Sequence, residues 1–241
     1  MTRKLTRLCG ILFLCVLTAL VTLFGQGYFR YRRETEALPV EKAVEAYTKE
    51  EDYVPYDQID EDFVHAVISV EDKRFFTRKG YDLIALGRAI WHDLRAGDIV
   101  EGGSTISEQI AKNLYLGGYV NGLEEKIAGF FLLYDLEFRF SKQELFALYV
   151  NMNWYGDSYQ GIHQAAKGYY NASPSDLTLG QAAILAGIPN APAIYQLSDG
   201  YGKAKRRQER VLERMMDEGY ITETEKEKAL MEDVQPIMKK P

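Results

Sequence analysis

The chain has 241 residues, enough for one domain of ordinary size plus an appendage. Hydrophobic residues at 46% and charged residues at 27% exclude a disordered chain. The formal net charge of −6 gives no global pointer to nucleic acid, although a local basic site is compatible with it.

Both cysteines, Cys9 and Cys15, lie in the apolar N-terminal segment, so the rest of the chain holds no disulfide framework and no Cys-based metal site. His65, His92 and His163 show no ligand spacing, and no metal ligands are predicted. From Leu8 to Phe29 there is no charge. As a helix rising about 1.5 Å per residue, that run covers roughly 30 Å, enough to cross a bilayer. A cleaved signal peptide is the alternative, but the run is long for one and no small-x-small cleavage site follows it. Leu14 before Cys15 also argues against a lipoprotein signal. Arg3, Lys4 and Arg7 precede the run and Arg30, Arg32 and Arg33 follow it, so charge leaves the orientation open.

These signals divide the chain into a tip and membrane anchor over 1–29, a juxtamembrane linker over 30–58 with Pro39, Pro55 and room for one short helix, and a domain over 59–235. Helix start signals recur through that domain. Asp60 caps a helix reaching to about Lys73, and Ser104 opens one toward Tyr115. Ser141-x-x-Glu144, Thr178-x-x-Gln181 and Thr222-x-x-Glu225 are capping boxes. No strand alternation of convincing length occurs. The expected fold class is mainly α.

Three stretches carry candidate chemistry. In "VEDKRFFTRKGYD", helical spacing places Glu71 amid the apolar stripe of Phe63, Val64, Val67, Ile68 and Phe75, with Asp72 at its edge. A carboxylate on a buried face is costly unless paired, protonated or at a cleft, and burial moves its pKa toward values useful for proton transfer. The plainer reading is a helix-end Glu bonded to a nearby Arg such as Arg88. In "EGGSTISEQIAKN", a Gly-Gly turn before Ser104 and Thr105 offers free N–H groups and a positive dipole end, suited to phosphate, with Lys112 two turns along. A loop with a cap, and an ordinary Glu108–Lys112 ion pair, explains the same residues. The third stretch holds Tyr149, Trp154, Tyr155, Tyr159, Tyr169 and Tyr170, whose rings suit sugar stacking but at this density more often form core.

Together the three stretches resemble the peptidoglycan glycosyltransferases, the transglycosylase module of class A penicillin-binding proteins and their monofunctional relatives. The first is similar to E-D-x-x-F-x-x-H-x-G-x-D through Glu71, Asp72, Phe75, Gly80 and Asp82, followed by Arg88-Ala89. The second is similar to G-G-S-T-x-T-Q-Q-x-x-K-N through Gly102, Gly103, Ser104, Thr105, Gln109, Lys112 and Asn113. The third resembles Y-L-N-x-x-Y-x-G, then G-I-x-x-A-A-x-x-Y-F, then L-A-G-x-P-x-A-P-x-x-Y. The resemblance covers roughly residues 60 to 220.

The resemblance implies a lysozyme-like helical fold on the outer face of the cell membrane. It also implies a membrane-touching jaw that includes Leu83, Ile84, Ile90, Trp91 and Leu94. The implied reaction polymerises lipid II into glycan strands with inversion and releases undecaprenyl pyrophosphate. Implied catalytic residues are Glu71 as general base and Asp72 beside it. Implied substrate-binding residues are Lys112, Ser104, Thr105, Gln109, Asn113 and Lys126. Implied partners are lipid II, the growing lipid-linked glycan, the membrane and cell-wall synthesis proteins, with a divalent cation (Mg or Mn) as helper and no nucleic acid.

Four positions depart from the family pattern. Arg78 stands for the His of the first motif and Glu108 for the first Gln of the second. In the family's R-K-x-x-E, Lys126 fits, Glu125 replaces the Arg and Gly129 replaces the second catalytic-site Glu. Two readings therefore follow: an active polymerase, or a degenerate relative that binds lipid II or a cell-wall partner without polymerising. With about twenty residues after the glycosyltransferase region and no S-x-x-K or K-T-G set, no transpeptidase is expected.

Overall fold

A computed structural model describes residues 2–80, 104–118 and 122–237. The family-motif positions Asp82, Arg88, Ala89, Gly102 and Gly103, and the jaw residues named above, lie outside the described residues. Among the described residues the regular elements are α-helices and short 3-10 turns, with a single isolated antiparallel bridge between Trp154 and Gln160. The mainly α class is as expected.

The helices in chain order are α1 (Thr2–Ala37), α2 (Val40–Thr48), α3 (Glu61–Glu71), α4 (Ile106–Tyr115), α5 (Leu123–Arg139) and α6 (Lys142–Met152). They continue with α7 (Gly161–Tyr170), α8 (Leu179–Gly187), the single turn α9 (Pro192–Tyr195), α10 (Tyr201–Asp217) and α11 (Glu223–Met231). Their starts follow from local chemistry. Asp60 Oδ1 accepts from the N–H groups of Asp62 and Phe63 at 2.9 and 3.2 Å, capping α3. Reciprocal capping boxes open α4 at Thr105, α6 at Ser141, α8 at Thr178 and α11 at Thr222. Each such cap stabilises its helix by about 1 kcal/mol. The α4 cap is Thr105, one residue beyond the expected Ser104, because Thr105 Oγ1 is the oxygen within reach of the Glu108 N–H.

The core explains why α6 has no polar face. From Leu145 to Met152 every residue of α6 is buried, as expected of a helix surrounded by others. Phe63, Phe75 and Phe146 are fully buried around its first turns, with the Phe75 and Phe146 rings 6.4 Å apart. Truncating such a ring costs about 3–5 kcal/mol, so Phe146→Ala is the single change best placed to loosen the Phe75–Phe76 turn from α6. Tyr149, Tyr155, Tyr169 and Tyr170 are likewise buried, which makes most of the aromatic-rich stretch core, while Trp154 is 52% exposed. Asn151 fastens the chain before α3 to this centre: its Oδ1 accepts from Val54 N–H at 3.0 Å and its Nδ2 donates to Val54 C=O at 2.8 Å.

The first helix is one continuous rod of 36 residues, roughly 54 Å long at 1.5 Å per residue. Within it, Thr6–Ala37 is long and apolar enough to cross a membrane. Its apolar part is exposed, with Phe13 at 69%. Its last turns pack on α5: Tyr28 meets Phe131 edge-on at 5.3 Å, Tyr31 donates to Asp135 at 2.9 Å, and Arg30 pairs with Glu125 at 2.8 Å. The stretch read as a linker, 30–58, therefore carries ordered structure: α1 runs on to Ala37, and α2 buries Val40, Ala43 and Val44. Pro39 falls between the two helices at the N-cap of α2, where a missing N–H costs nothing.

Candidate active site

The site forms where the end of α3 meets the start of α4. Glu71 is the last residue of α3 and is half-buried. Its Oε2 accepts from Nε2 of Gln109, one turn into α4, at 2.9 Å. Tyr149 and Tyr155, both from the buried centre, lie near enough to feel the charge of this carboxylate. Burial first, and the Glu71 charge second, push both phenols up, so they stay neutral. Lys112 follows Gln109 by three residues and so projects from the same side of α4. It is half-exposed and makes no ion pair among the described residues. Glu108 does not draw it away: Glu108 Oε2 instead accepts from Thr105 N–H at 2.7 Å.

The start of α4 is occupied from within the chain. Ile106 N–H donates to Asp72 Oδ2 at 3.2 Å, and the Glu108 N–H is held by Thr105 Oγ1 at 3.2 Å. The anion that the helix end attracts is thus the Asp72 carboxylate. The cap reading of this turn accounts for Thr105. Thr105 is 4% exposed and serves as a cap, whereas Ser104 and Asn113 are exposed. Lys126 lies exposed on the first turn of α5. Of the residues singled out in the sequence, the structure brings Glu71, Asp72, Thr105 and Gln109 together and sets Lys112 beside them.

Asp72 leads to Glu137, which sequence reasoning missed, by way of Arg78. Arg78 spans two carboxylates: its Nε and one terminal nitrogen hold Asp72, and the other reaches Glu137 Oε1 at 3.1 Å and the carbonyl of Gly80. The Asp72, Glu137 and Arg78 side chains are 2%, 6% and 8% exposed, so this is a buried charge cluster. Glu137 also accepts from Lys142 Nζ at 2.7 Å, Ser107 Oγ at 2.6 Å and Gly80 N–H at 2.5 Å. That last bond needs Gly80 itself, which sits at φ +67° with the Tyr134 ring against the space a Cβ would take. Burial works to raise the Glu137 pKa, but the donors Lys142, Ser107 and Gly80 outweigh it and hold it below the usual value. Burial opposes the Arg78 charge too, and Asp72 and then Glu137 overcome that, leaving its pKa raised. Glu137 was legible by the same rule that flagged Glu71. It lies four residues after the fully buried Leu133, on a face otherwise apolar.

The departures from the family pattern also find places. Arg78, where a His was expected, is consumed by Asp72 and Glu137. Glu125 is paired with Arg30 of α1, and Glu124 lies 3.9 Å from the same guanidinium. Gly129 leaves open room, since a Cβ there would meet only Leu116 Cδ1 at 3.7 Å. Among the described residues no three His, Cys, Asp or Glu side chains gather as a metal site. Asp72 and Glu137 spend their oxygens on Arg78 and Lys142.

Comparison with known proteins decides the family. A family model described as Transglycosylase matches residues 39–216. The chain belongs to the transglycosylase family. That is the family its motifs pointed to. Penicillin-binding protein 1F of Bacillus subtilis is 38% identical over 179 residues, covering 74% of this chain and 25% of that protein. Penicillin-binding protein 1A of Aquifex aeolicus is 39% identical over 178 residues, covering 74% and 24%. A crystal structure of penicillin-binding protein 1A from Haemophilus influenzae matches 38% of this transglycosylase chain and 14% of its own at 39% identity, with a TM-score of 0.35. The chain spans about a quarter of the length of the curated relatives it matches.

Proposed function

We propose that this transglycosylase is a membrane-anchored, inverting peptidoglycan glycosyltransferase that polymerises lipid II and releases undecaprenyl pyrophosphate. In this reading 1–29 holds the anchor, 30–58 leads from it across the body, and 59–235 is the catalytic domain on the extracytoplasmic side. The observation that carries the reading is the Glu71–Gln109 hydrogen bond. It unites the carboxylate of the first motif with the helix that presents Lys112.

The chemistry follows from those positions. The acceptor sugar hydroxyl attacks the anomeric carbon of the lipid-linked donor while its proton passes to Glu71. The bond from that carbon to the pyrophosphate oxygen breaks, and its electron pair leaves with the pyrophosphate. Lys112 supplies positive charge to the departing group, where developing negative charge is worth most to stabilise. Asp72 is buried and committed to Arg78 and Ile106 N–H, so its part is to position, not to exchange protons. Gln109 orients Glu71. Ser104, Asn113 and Lys126, all exposed, are available to the substrate.

The second reading, a relative that binds lipid II or a cell-wall partner without polymerising, is favoured by one observation: Gly129 leaves the second acid's place without a carboxylate. Incubating the purified full chain with labelled lipid II separates the two. Glycan polymer that disappears in Glu71→Gln supports the polymerase, and lipid II binding without polymer supports the second reading.

A further inference from the structure

We infer that Arg78 is a positioning residue of this site. It neutralises the carboxylate next to the general base and locks the end of α3 to α4 and α5. The inference rests on the glycosyltransferase reading for its kinetic consequences, but its geometry stands apart from that reading.

Glu71 and Asp72 are consecutive carboxylates, and Asp72 is almost completely buried. An uncompensated buried charge there would oppose ionisation of the residue beside it and would itself be costly. Arg78 removes both problems. It grips Asp72 with two nitrogens and carries the restraint on to Glu137 of α5. Glu137 in turn takes Ser107 of α4 and Lys142 of α6. Three helices and the 72–80 loop thus meet in one charge cluster, seated on the Phe75 ring, whose centroid is 5.8 Å from the Arg78 guanidinium and 4.6 Å from Lys142 Nζ.

Among the described residues, the charged and titratable groups around this cluster are Asp72 from the end of α3, Glu137 from α5 and Lys142 from α6. Among the described residues, those facing Glu71 are Tyr149 of α6 and Tyr155 beyond it, with the neutral Gln109 of α4. Among the described side chains, Arg78 is the one that bridges Asp72 to Glu137. A planar guanidinium suits this place because it offers forked donors to two carboxylates at once. A His at 78 has two ring nitrogens and could not make the same four contacts.

The test uses the full chain in detergent or nanodiscs, with Arg78→Gln, Arg78→Lys and Glu137→Gln. Expected for Arg78→Gln is a kcat for polymerisation lowered about 10–100-fold with KM little changed. Its acid limb should also move to higher pH, by about one unit. Arg78→Lys keeps the charge and should return the limb to its original place while recovering part of kcat. Glu137→Gln leaves Asp72 paired, so kcat falls without movement of the limb. Hydrogen exchange of peptides spanning 72–80 and 104–118 should quicken in Arg78→Gln while peptides of α6 and α8 do not change.

The inference is overturned if Arg78→Gln keeps wild-type kcat, pH limb and exchange. It is equally overturned if activity falls only in proportion to folded protein, with the limb unmoved and exchange faster everywhere. Wild-type protein that makes no polymer would sink the glycosyltransferase reading instead, and the exchange comparison then decides the positioning role by itself.

Discussion

Glu71 and Gln109 are 38 residues apart in the chain and meet through a 2.9 Å hydrogen bond that joins two helices at one point. Gln109 Oε1 is in turn 3.5 Å from the Tyr149 hydroxyl, so the amide stands between the carboxylate and the buried centre. A hydrogen bond to a charged group contributes about 1.5–3 kcal/mol, and here much of that is orientation. Gln109→Ala should lower kcat about tenfold and leave KM for lipid II nearly unchanged. Steady-state polymerisation, with a melting curve to confirm folding, checks this. An unchanged kcat would remove Gln109 from the machinery.

How much of this was legible in the sequence depends on the range of the interaction. Caps at Asp60, Ser141, Thr178 and Thr222 were readable because each is settled within three or four residues. Glu71 was flagged because helical period puts it on the stripe of Phe63 and Val67. The fate of Arg78 was not readable, since its partners lie 6 and 59 residues away and no local pattern links them. The stretch 30–58 read as a linker because charges and prolines dominate its composition. What orders it is tertiary contact: α5 against the end of α1, and Asn151 against Val54.

The seam between α1 and α5 depends on a missing side chain. A Cβ at Gly27 would sit 2.4 Å from Ile127 Cγ2 and 3.2 Å from the Glu124 carbonyl. Gly27→Val should therefore destabilise the docking of α1 on the body by about 1–3 kcal/mol. Gly25 has nothing within 4 Å of its own Cβ position, so Gly25→Val is the matched control. Limited proteolysis between α1 and α2 in detergent should be faster for the first variant and unchanged for the second.

Glu137 makes stability sensitive to acid in a predictable direction. Although burial acts to raise its pKa, hydrogen bonds from Lys142, Ser107 and Gly80 hold it below the ordinary 4.5. A carboxyl lowered on folding contributes stability above its unfolded pKa and loses that contribution as pH falls through the folded one. The cluster should thus weaken on acidification below about pH 4.5, the ordinary value. Glu137→Gln should flatten that part of the stability profile. At neutral pH it should cost about 3–5 kcal/mol, because Arg78 and Lys142 lose a buried counter-charge. Denaturant melts of both proteins from pH 3 to 7, on the order of one step per unit, measure the two effects.

Gly129 gives the sharpest test of whether the site lacks an acid. It lies inside α5, where glycine weakens a helix by roughly 0.5–1 kcal/mol relative to alanine. Its nearest neighbour for an added Cβ is Leu116 Cδ1 at 3.7 Å, an ordinary contact. Gly129→Ala should therefore raise stability by about 0.5–1 kcal/mol and leave polymerisation as it is. Gly129→Glu should show a smaller gain in stability, since a glutamate in mid-helix is nearly as good a helix former. It also places a carboxylate where the family pattern has one. If the missing acid limits the reaction, Gly129→Glu should polymerise lipid II about tenfold or more faster than Gly129→Ala. Equal rates in the two variants would show that Glu71 and Lys112 suffice in this chain, and that the glycine is no defect.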